Sequence, residues 1–250
     1  MMKALILGGT TEASALARRL NGHPAIDAQV SLAGRTAHPV LPPLPTRIGG
    51  FGGVAGLRGY LTANGIRAVV DATHPFAARI AANAAAACHE AGVPLLVLTR
   101  APWDAGEGDR WTAVPTMTAA ADAVRGAAGT VFLTVGRQEL APFEAAPEVR
   151  YLIRAVDPPD PMPALPHATV ILDRGPFTVE GEEALIDAHG ITMIVSKNSG
   201  GTATAAKLEA ARRRGIPVVM VTRPPASGAA VVHSPADALA WLEGLAAPGV

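Results

Sequence analysis

Cysteine is almost missing from this chain: one, Cys88, in 250 residues. A single thiol excludes an intrachain disulfide framework and a cysteine-built zinc site. In "AANAAAACHEAG" it reads as a small buried helix residue. Aromatic side chains are scarce at 4%, so alanine and glycine are expected to let the layers pack closely. Charge of one sign is not in excess, with 21 Lys and Arg against 21 Asp and Glu. A nucleic-acid partner normally leaves a strongly basic footprint, so nucleic acid is excluded as the main partner. No apolar run approaches the roughly 18 residues needed to span a bilayer. The start, "MMKALILGGTTEA", has too short an apolar stretch for a secretory signal. The expectation is a cytoplasmic protein with no membrane partner.

What the chain does have is apolar residues, 49% of the total, arranged as strand-like runs alternating with alanine-rich helical stretches. "KALILGG", "AQVSLAG", "IRAVVDATHP" and "VPLLVLTR" read as strands. "TEASALARRLNG", "GLRGYLTANG" and "FAARIAANAAAACHEAG" read as helices between them. Continuous β-branched and leucine runs separated by helices indicate parallel strands covered on both faces. This pattern predicts an α/β, doubly wound fold.

The second half restates the first. "AGVPLLVLTRAP" is matched by "RGIPVVMVTRPP", which makes Arg100 and Arg223 equivalent. "AVVDATHPFAARIAANAAAACHEAG" is matched by "TMIVSKNSGGTATAAKLEAARRRG", and "WTAVPTMTAAADAVRG" by "AAVVHSPADALAWLEG". "TVFLTVGRQEL" opens the second copy as "ALILGGTTEAS" opens the first. Two Rossmann-like, doubly wound parallel-sheet domains in tandem are therefore predicted, over residues 1–103 and 130–250. A strand-helix connection, 104–129, has no assignable sheet. The sequence leaves open whether each copy's final strand and helix stay with their own sheet.

In open parallel sheets, ligands bind beyond the carboxyl ends of the strands, so the loops there carry the functional reading. "LILGGTTEAS" places Gly8, Gly9, Thr10, Thr11 and Glu12 where helix amides can receive a phosphate. It lacks full G-x-G-x-x-G spacing, and an ordinary capped turn fits it too. "SLAGRT" puts Arg35 after the second strand, where an acid favours NAD and an arginine suits the 2′-phosphate of NADP. "TRIGGFGGVAG" is a backbone-rich loop with Gly50 and Phe51, suited to lie along a cofactor, to close as a lid, or merely to connect. "VVDATHPFA" sets Thr73 and His74 at a strand end. The histidine reads as a carboxylate ligand, a proton donor or a structural residue.

The second copy supplies Arg137, Arg174, Lys197 and Arg223 at matching places, a set suited to a polyanion. The loop "SKNSGG" adds Asn198, Ser199 and Gly200. It is not a Walker loop, because Lys197 precedes the glycines. Nor is there a short-chain dehydrogenase pair, since Tyr60 and Tyr151 lack a lysine four residues on.

"ILGGTTEA", "GRT" with "RIGGFGG", "VDATHPFA", and "VSKNSGG" with "AKLEAARRRGIPVVMVTRPP" together resemble the precorrin-6A reductase family of cobalamin biosynthesis. The resemblance covers nearly the whole chain, from the first strand to Pro224. It implies NADPH-dependent reduction of precorrin-6A to precorrin-6B, without metal or flavin, by direct hydride transfer to the macrocycle. A proton would be added to the neighbouring carbon, and the product would pass to the next pathway enzyme. On that reading Gly8, Gly9, Thr10, Thr11, Glu12, Arg35, Gly50, Phe51 and Thr73 hold NADPH. Arg137, Arg174, Lys197, Asn198, Ser199, Gly200, Arg223 and His74 hold the tetrapyrrole, and His74 is also the candidate proton donor. The alternative is a carrier that binds tetrapyrroles or other anions without catalysis.

Overall fold

The computed structural model describes residues 1–34, 40–225 and 228–247. The chain divides into two compact units, one of Met1–Ala101 together with the segment from Pro224 onward, the other of Pro102–Arg223.

The first unit contains β1 (Met2–Leu7), α1 (Thr11–Leu20), β2 (Ile26–Leu32), β3 (Thr46–Ile48), α2 (Val54–Asn64), β4 (Ala68–Asp71), α3 (Ala78–Ala91) and β5 (Leu95–Leu98). Its sheet is closed by β12 (Ala230–Val232), and α7 (Pro235–Ala246) follows. Every pairing is parallel, in the order β3-β2-β1-β4-β5-β12. This is the dinucleotide-fold order, with its reversal between β1 and β4. Alternation along the strands sorts the core. Ala4, Ile6, Val30, Val70, Leu96 and Leu98 face α1 and α7, whereas Leu5, Leu7 and Val69 face α2 and α3. Thr10 and Ser234 cap α1 and α7, their hydroxyls accepting from Ala13 N and Asp237 N.

The second unit repeats the design. It contains β6 (Trp111–Val114), α4 (Met117–Ala123), β7 (Thr130–Leu133), β8 (Arg150–Ala155), β9 (Ala168–Leu172), α5 (Val179–His189), β10 (Ile191–Lys197), α6 (Ala206–Arg214) and β11 (Val218–Val221). The parallel order is β9-β8-β7-β10-β11-β6, reversing between β7 and β10. Phe132, Leu152, Ile194, Val218 and Met220 pack against Ile186 of α5 and Leu208, Ala210 and Ala211 of α6.

The last strands exchange sheets. β6 follows β5 in the chain but pairs with β11, and β12 follows β11 but pairs with β5. The expected domains, 1–103 and 130–250, are corrected accordingly. The 104–129 connection belongs wholly to the second unit, and residues from Pro224 onward belong to the first. Apolar patterning dictates which face of a strand is buried, not which of two similar sheets receives it. The two copies also differ after their first strands. Where β1 leads into the ten-residue α1, β7 leads into two 3-10 turns, Arg137–Glu139 and Ala141–Ala145, the second opened by Pro142.

Candidate active site

In each sheet the loops at the reversal point lie at the carboxyl ends of the two central strands, where open parallel sheets bind ligands. In the first unit these are the loops after β1 and β4. Gly8 N continues the ladder by donating to Ser31 O at 2.9 Å. A Cβ on Gly8 would meet Val30 Cγ1 at 3.0 Å, whereas one on Gly9 would meet nothing within 4 Å. Gly9 holds φ +122°, a conformation side chains rarely adopt, so the turn requires glycine and leaves open space before its backbone. Thr10 spans the reversal, its hydroxyl donating to Ala72 O at 2.8 Å while accepting from Ala13 N at 3.1 Å. Thr11 donates to the Glu12 carboxylate, which pairs with Arg100 at 3.7 Å. An open, glycine-bearing turn at the positive end of α1 fits a nucleotide pyrophosphate.

Across the reversal, Asp71 ends β4 as a carboxylate only 4% exposed. It accepts from Thr73 N at 3.0 Å and from the Thr73 hydroxyl at 2.7 Å. Burial pushes its pKa up against the opposing pull of these two bonds. The Thr73 hydroxyl, expected on the cofactor, thus donates its hydrogen bond to Asp71. The next residue, His74, uses Nδ1 to accept from Phe76 N at 3.2 Å. A nitrogen that accepts carries no proton, so the ring hydrogen sits on Nε2, leaving that nitrogen as the donor.

The glycine-rich loop after β3 is braced from within, by a residue that sequence reasoning passed over. Arg47 donates to Ser31 Oγ at 2.8 Å, Gly49 O at 2.9 Å and Gly50 O at 3.0 Å. Its guanidinium stacks 4.0 Å from the Phe51 ring, which meets Tyr60 edge to face at 5.2 Å. A Cβ on Gly56 would fall 1.7 Å from Phe51 O, so α2 can start here only with glycine at that position. Arg35, expected at the 2′-phosphate, lies outside the described residues.

In the second unit the "SKNSGG" loop leaves β10, and much of its polarity is spent on itself. Asn198 Oδ1 accepts from Trp103 N at 2.7 Å and its Nδ2 donates to Trp103 O at 2.8 Å. Trp103 Nε1 donates to Gly201 O at 2.8 Å. Arg223 donates to Asn198 O at 2.9 Å and Ser199 O at 3.1 Å, and Ser199 N to Lys197 O at 2.7 Å. Asn198 and Arg223, expected to bind substrate, make bonds here that hold the loop's shape. Gly200, with φ +69°, makes its turn. Lys197 pairs with Glu139. Arg137 reaches Pro158 O at 3.4 Å, and Arg174 follows β9 with its side chain exposed.

Beneath this loop lies a charged cluster with no plain signal in the sequence. Lys207, in "AAKLEAA", has the spacing of a surface helix lysine but is 4% exposed. Its Nζ donates to Thr204 O at 2.7 Å and sits 5.1 Å from the Trp103 ring. Burial first, and then Arg154, pull its pKa down to about 8, against Glu182. Arg154 pairs with the buried Glu182 at 2.8 Å and lies 3.7 Å from the Phe177 ring.

Among the described residues, no three His, Cys, Asp or Glu side chains gather to hold a metal, and no helix is long and apolar enough to cross a membrane. Residues 3–243 match the family described as precorrin-6x reductase CbiJ/CobK. The chain is 51% identical to the precorrin-6A reductase of Rhodobacter capsulatus, over 97% of this chain and 96% of that protein. It is 33% identical to the cobalt-precorrin-6A reductase of Priestia megaterium, over 66% of this chain and 68% of that protein. A solved structure of CobK precorrin-6A reductase, 50% identical, superposes with a TM-score of 0.91 over 98% of this chain and 97% of that one.

Proposed function

This chain belongs to the precorrin-6x reductase family, and on that premise we propose that it reduces precorrin-6A to precorrin-6B with NADPH in the cytoplasm. Relatives near half identity are named for precorrin-6A, whereas the one at 33% is named for cobalt-precorrin-6A. This supports a metal-free macrocycle as substrate. The carrier alternative has no named relative behind it.

The two units divide the work. The first unit takes the nucleotide, because only its first turn combines an open glycine with a full α-helix start. The equivalent turn of the second unit runs into 3-10 turns instead. Gly8, Gly9, Thr10 and Thr11 hold the pyrophosphate, Arg35 the 2′-phosphate, and Gly50 and Phe51 the flank of the cofactor. The Glu12 side chain holds Arg100, and the Thr73 hydroxyl holds Asp71. The second unit takes the macrocycle, whose acetate and propionate groups suit Arg137, Arg174 and Lys197.

When bound, NADPH supplies a hydride to one carbon of the conjugated ring and departs as NADP⁺. A proton at the neighbouring carbon completes the two-electron reduction of one double bond. The protein contributes orientation, which removes the entropic cost of two reactants meeting. His74, with its hydrogen on Nε2, anchors a carboxylate, or delivers the proton as an imidazolium once a proton taken up at Nδ1 replaces the bond from Phe76 N. In His74→Gln, a fall in kcat at unchanged macrocycle KM marks the first role, and a rise in KM the second.

The single observation behind this reading is the open Gly9 turn at the reversal point of a dinucleotide-order sheet, in a chain half identical to named precorrin-6A reductases. Anaerobic assay of the purified protein tests it: NADPH should be consumed only when precorrin-6A is present. No consumption with authentic substrate would overturn it.

A further inference from the structure

Lys197 and Glu139 flank the reversal point of the second sheet, one at the end of β10 and the other in the first 3-10 turn after β7. Their side chains are paired, and the carboxylate oxygen that meets Lys197 Nζ also accepts from Gly136 N at 3.1 Å. One anionic oxygen therefore sits between an ammonium and a backbone amide, which is the environment a bound carboxylate ligand requires. A Cβ on residue 136 would approach that same oxygen to 3.2 Å, so glycine there gives the carboxylate a few tenths of an ångström of room. Both side chains are partly shielded, Lys197 at 14% and Glu139 at 30% exposure.

The geometry points to Glu139 as a specificity-determining residue, an internal carboxylate that fills the seat of one substrate carboxylate until the macrocycle displaces it. The inference rests on the macrocycle binding to the second unit. Its logic is selective. A ligand with a single carboxylate exchanges one ion pair for another and gains little. A macrocycle with many carboxylates also engages other cations such as Arg137 and Arg174, and so overcomes the exchange. With Glu139 in place, Lys197 also does not collect small anions.

Kinetics of Glu139→Gln test this. Glutamine is isosteric and keeps an oxygen to accept from Gly136 N, so the turn is preserved. The macrocycle KM should fall about two- to fivefold, the scale of removing one partly exposed competing charge. Acetate, which carries a single carboxylate, should inhibit the variant more strongly than the native protein by a similar factor. An unchanged or raised KM would overturn the inference, because Glu139 would then be orienting Lys197 or merely capping the turn. Lys197→Ala separates the two levels. If it leaves the macrocycle KM unchanged, the placement of the macrocycle on Lys197 fails. If it raises KM while Glu139→Gln does not lower it, only the role of Glu139 fails.

Discussion

Replacing Lys207 with methionine should stabilise the protein near neutral pH while loosening the loop above it. The lysine lies among Arg154, Glu182, Trp103 and the Thr204 carbonyl, and Glu182 already neutralises Arg154 at 2.8 Å. Its ammonium is thus the surplus charge of the cluster. The pKa drops from 10.5 to about 8, and every tenfold loss of proton affinity corresponds to about 1.4 kcal/mol. The charged lysine therefore costs about 3 kcal/mol of folding stability below its folded pKa. Between about 8 and 10.5 the unfolded chain binds the proton and the folded one does not, so native stability rises with pH across that window. Methionine keeps the length of the side chain but forfeits the bond to Thr204, worth about 1 kcal/mol. The net gain near pH 7 is about 2 kcal/mol, on the order of 4–8 °C in Tm for a chain of this size. Urea unfolding of the native protein and Lys207→Met at several pH values measures it. The difference should shrink as pH climbs through the window and change sign towards its top, leaving the variant about 1 kcal/mol less stable above it, where only the lost bond to Thr204 remains. A variant destabilised near pH 7, or a pH-independent difference, would refute the placement of a desolvated ammonium here. The macrocycle KM should rise, because Lys207 ties the start of α6 to the loop that follows Lys197.

Three further outcomes follow from the site. Arg35→Ala should weaken NADPH far more than NADH, and equal losses measured by nucleotide titration would remove the 2′-phosphate assignment. Arg47→Ala deletes three hydrogen bonds and a ring stack around the Gly49–Phe51 turn. It should raise the NADPH dissociation constant about tenfold, with Arg47→Lys in between; an unaltered constant would mean the loop does not touch the cofactor. Asn198→Ala removes two bonds to the Trp103 backbone and should cost about 2 kcal/mol in urea unfolding. Unchanged stability with a raised macrocycle KM would instead make it a ligand.

The architecture was legible in the sequence because parallel strands buried on both faces must be continuously apolar. Runs such as "KALILGG" and "VPLLVLTR" carry that requirement openly. β3 escaped because three residues are too few to show a period. The strand exchange escaped because "WTAVPTMTAAADAVRG" and "AAVVHSPADALAWLEG" have equivalent patterns, and a pattern does not name its neighbour. Position marks the loops at the strand ends, but not which hydrogen bonds form inside them. Asn198 and Arg223 look alike in sequence whether they serve a ligand or their own backbone. Arg47 was hidden beside the glycines it braces, and Lys207 shows its burial only once α6 is packed.

Isotope transfer tests the central claim most directly. NADPH carrying deuterium at the reactive nicotinamide carbon, on the transferred face, is incubated anaerobically with the protein and precorrin-6A, and the product is weighed by mass spectrometry. Hydride transfer predicts precorrin-6B heavier by a single deuterium bound to ring carbon. Product formed without that deuterium from either face of the nicotinamide, or no product at all, would contradict it.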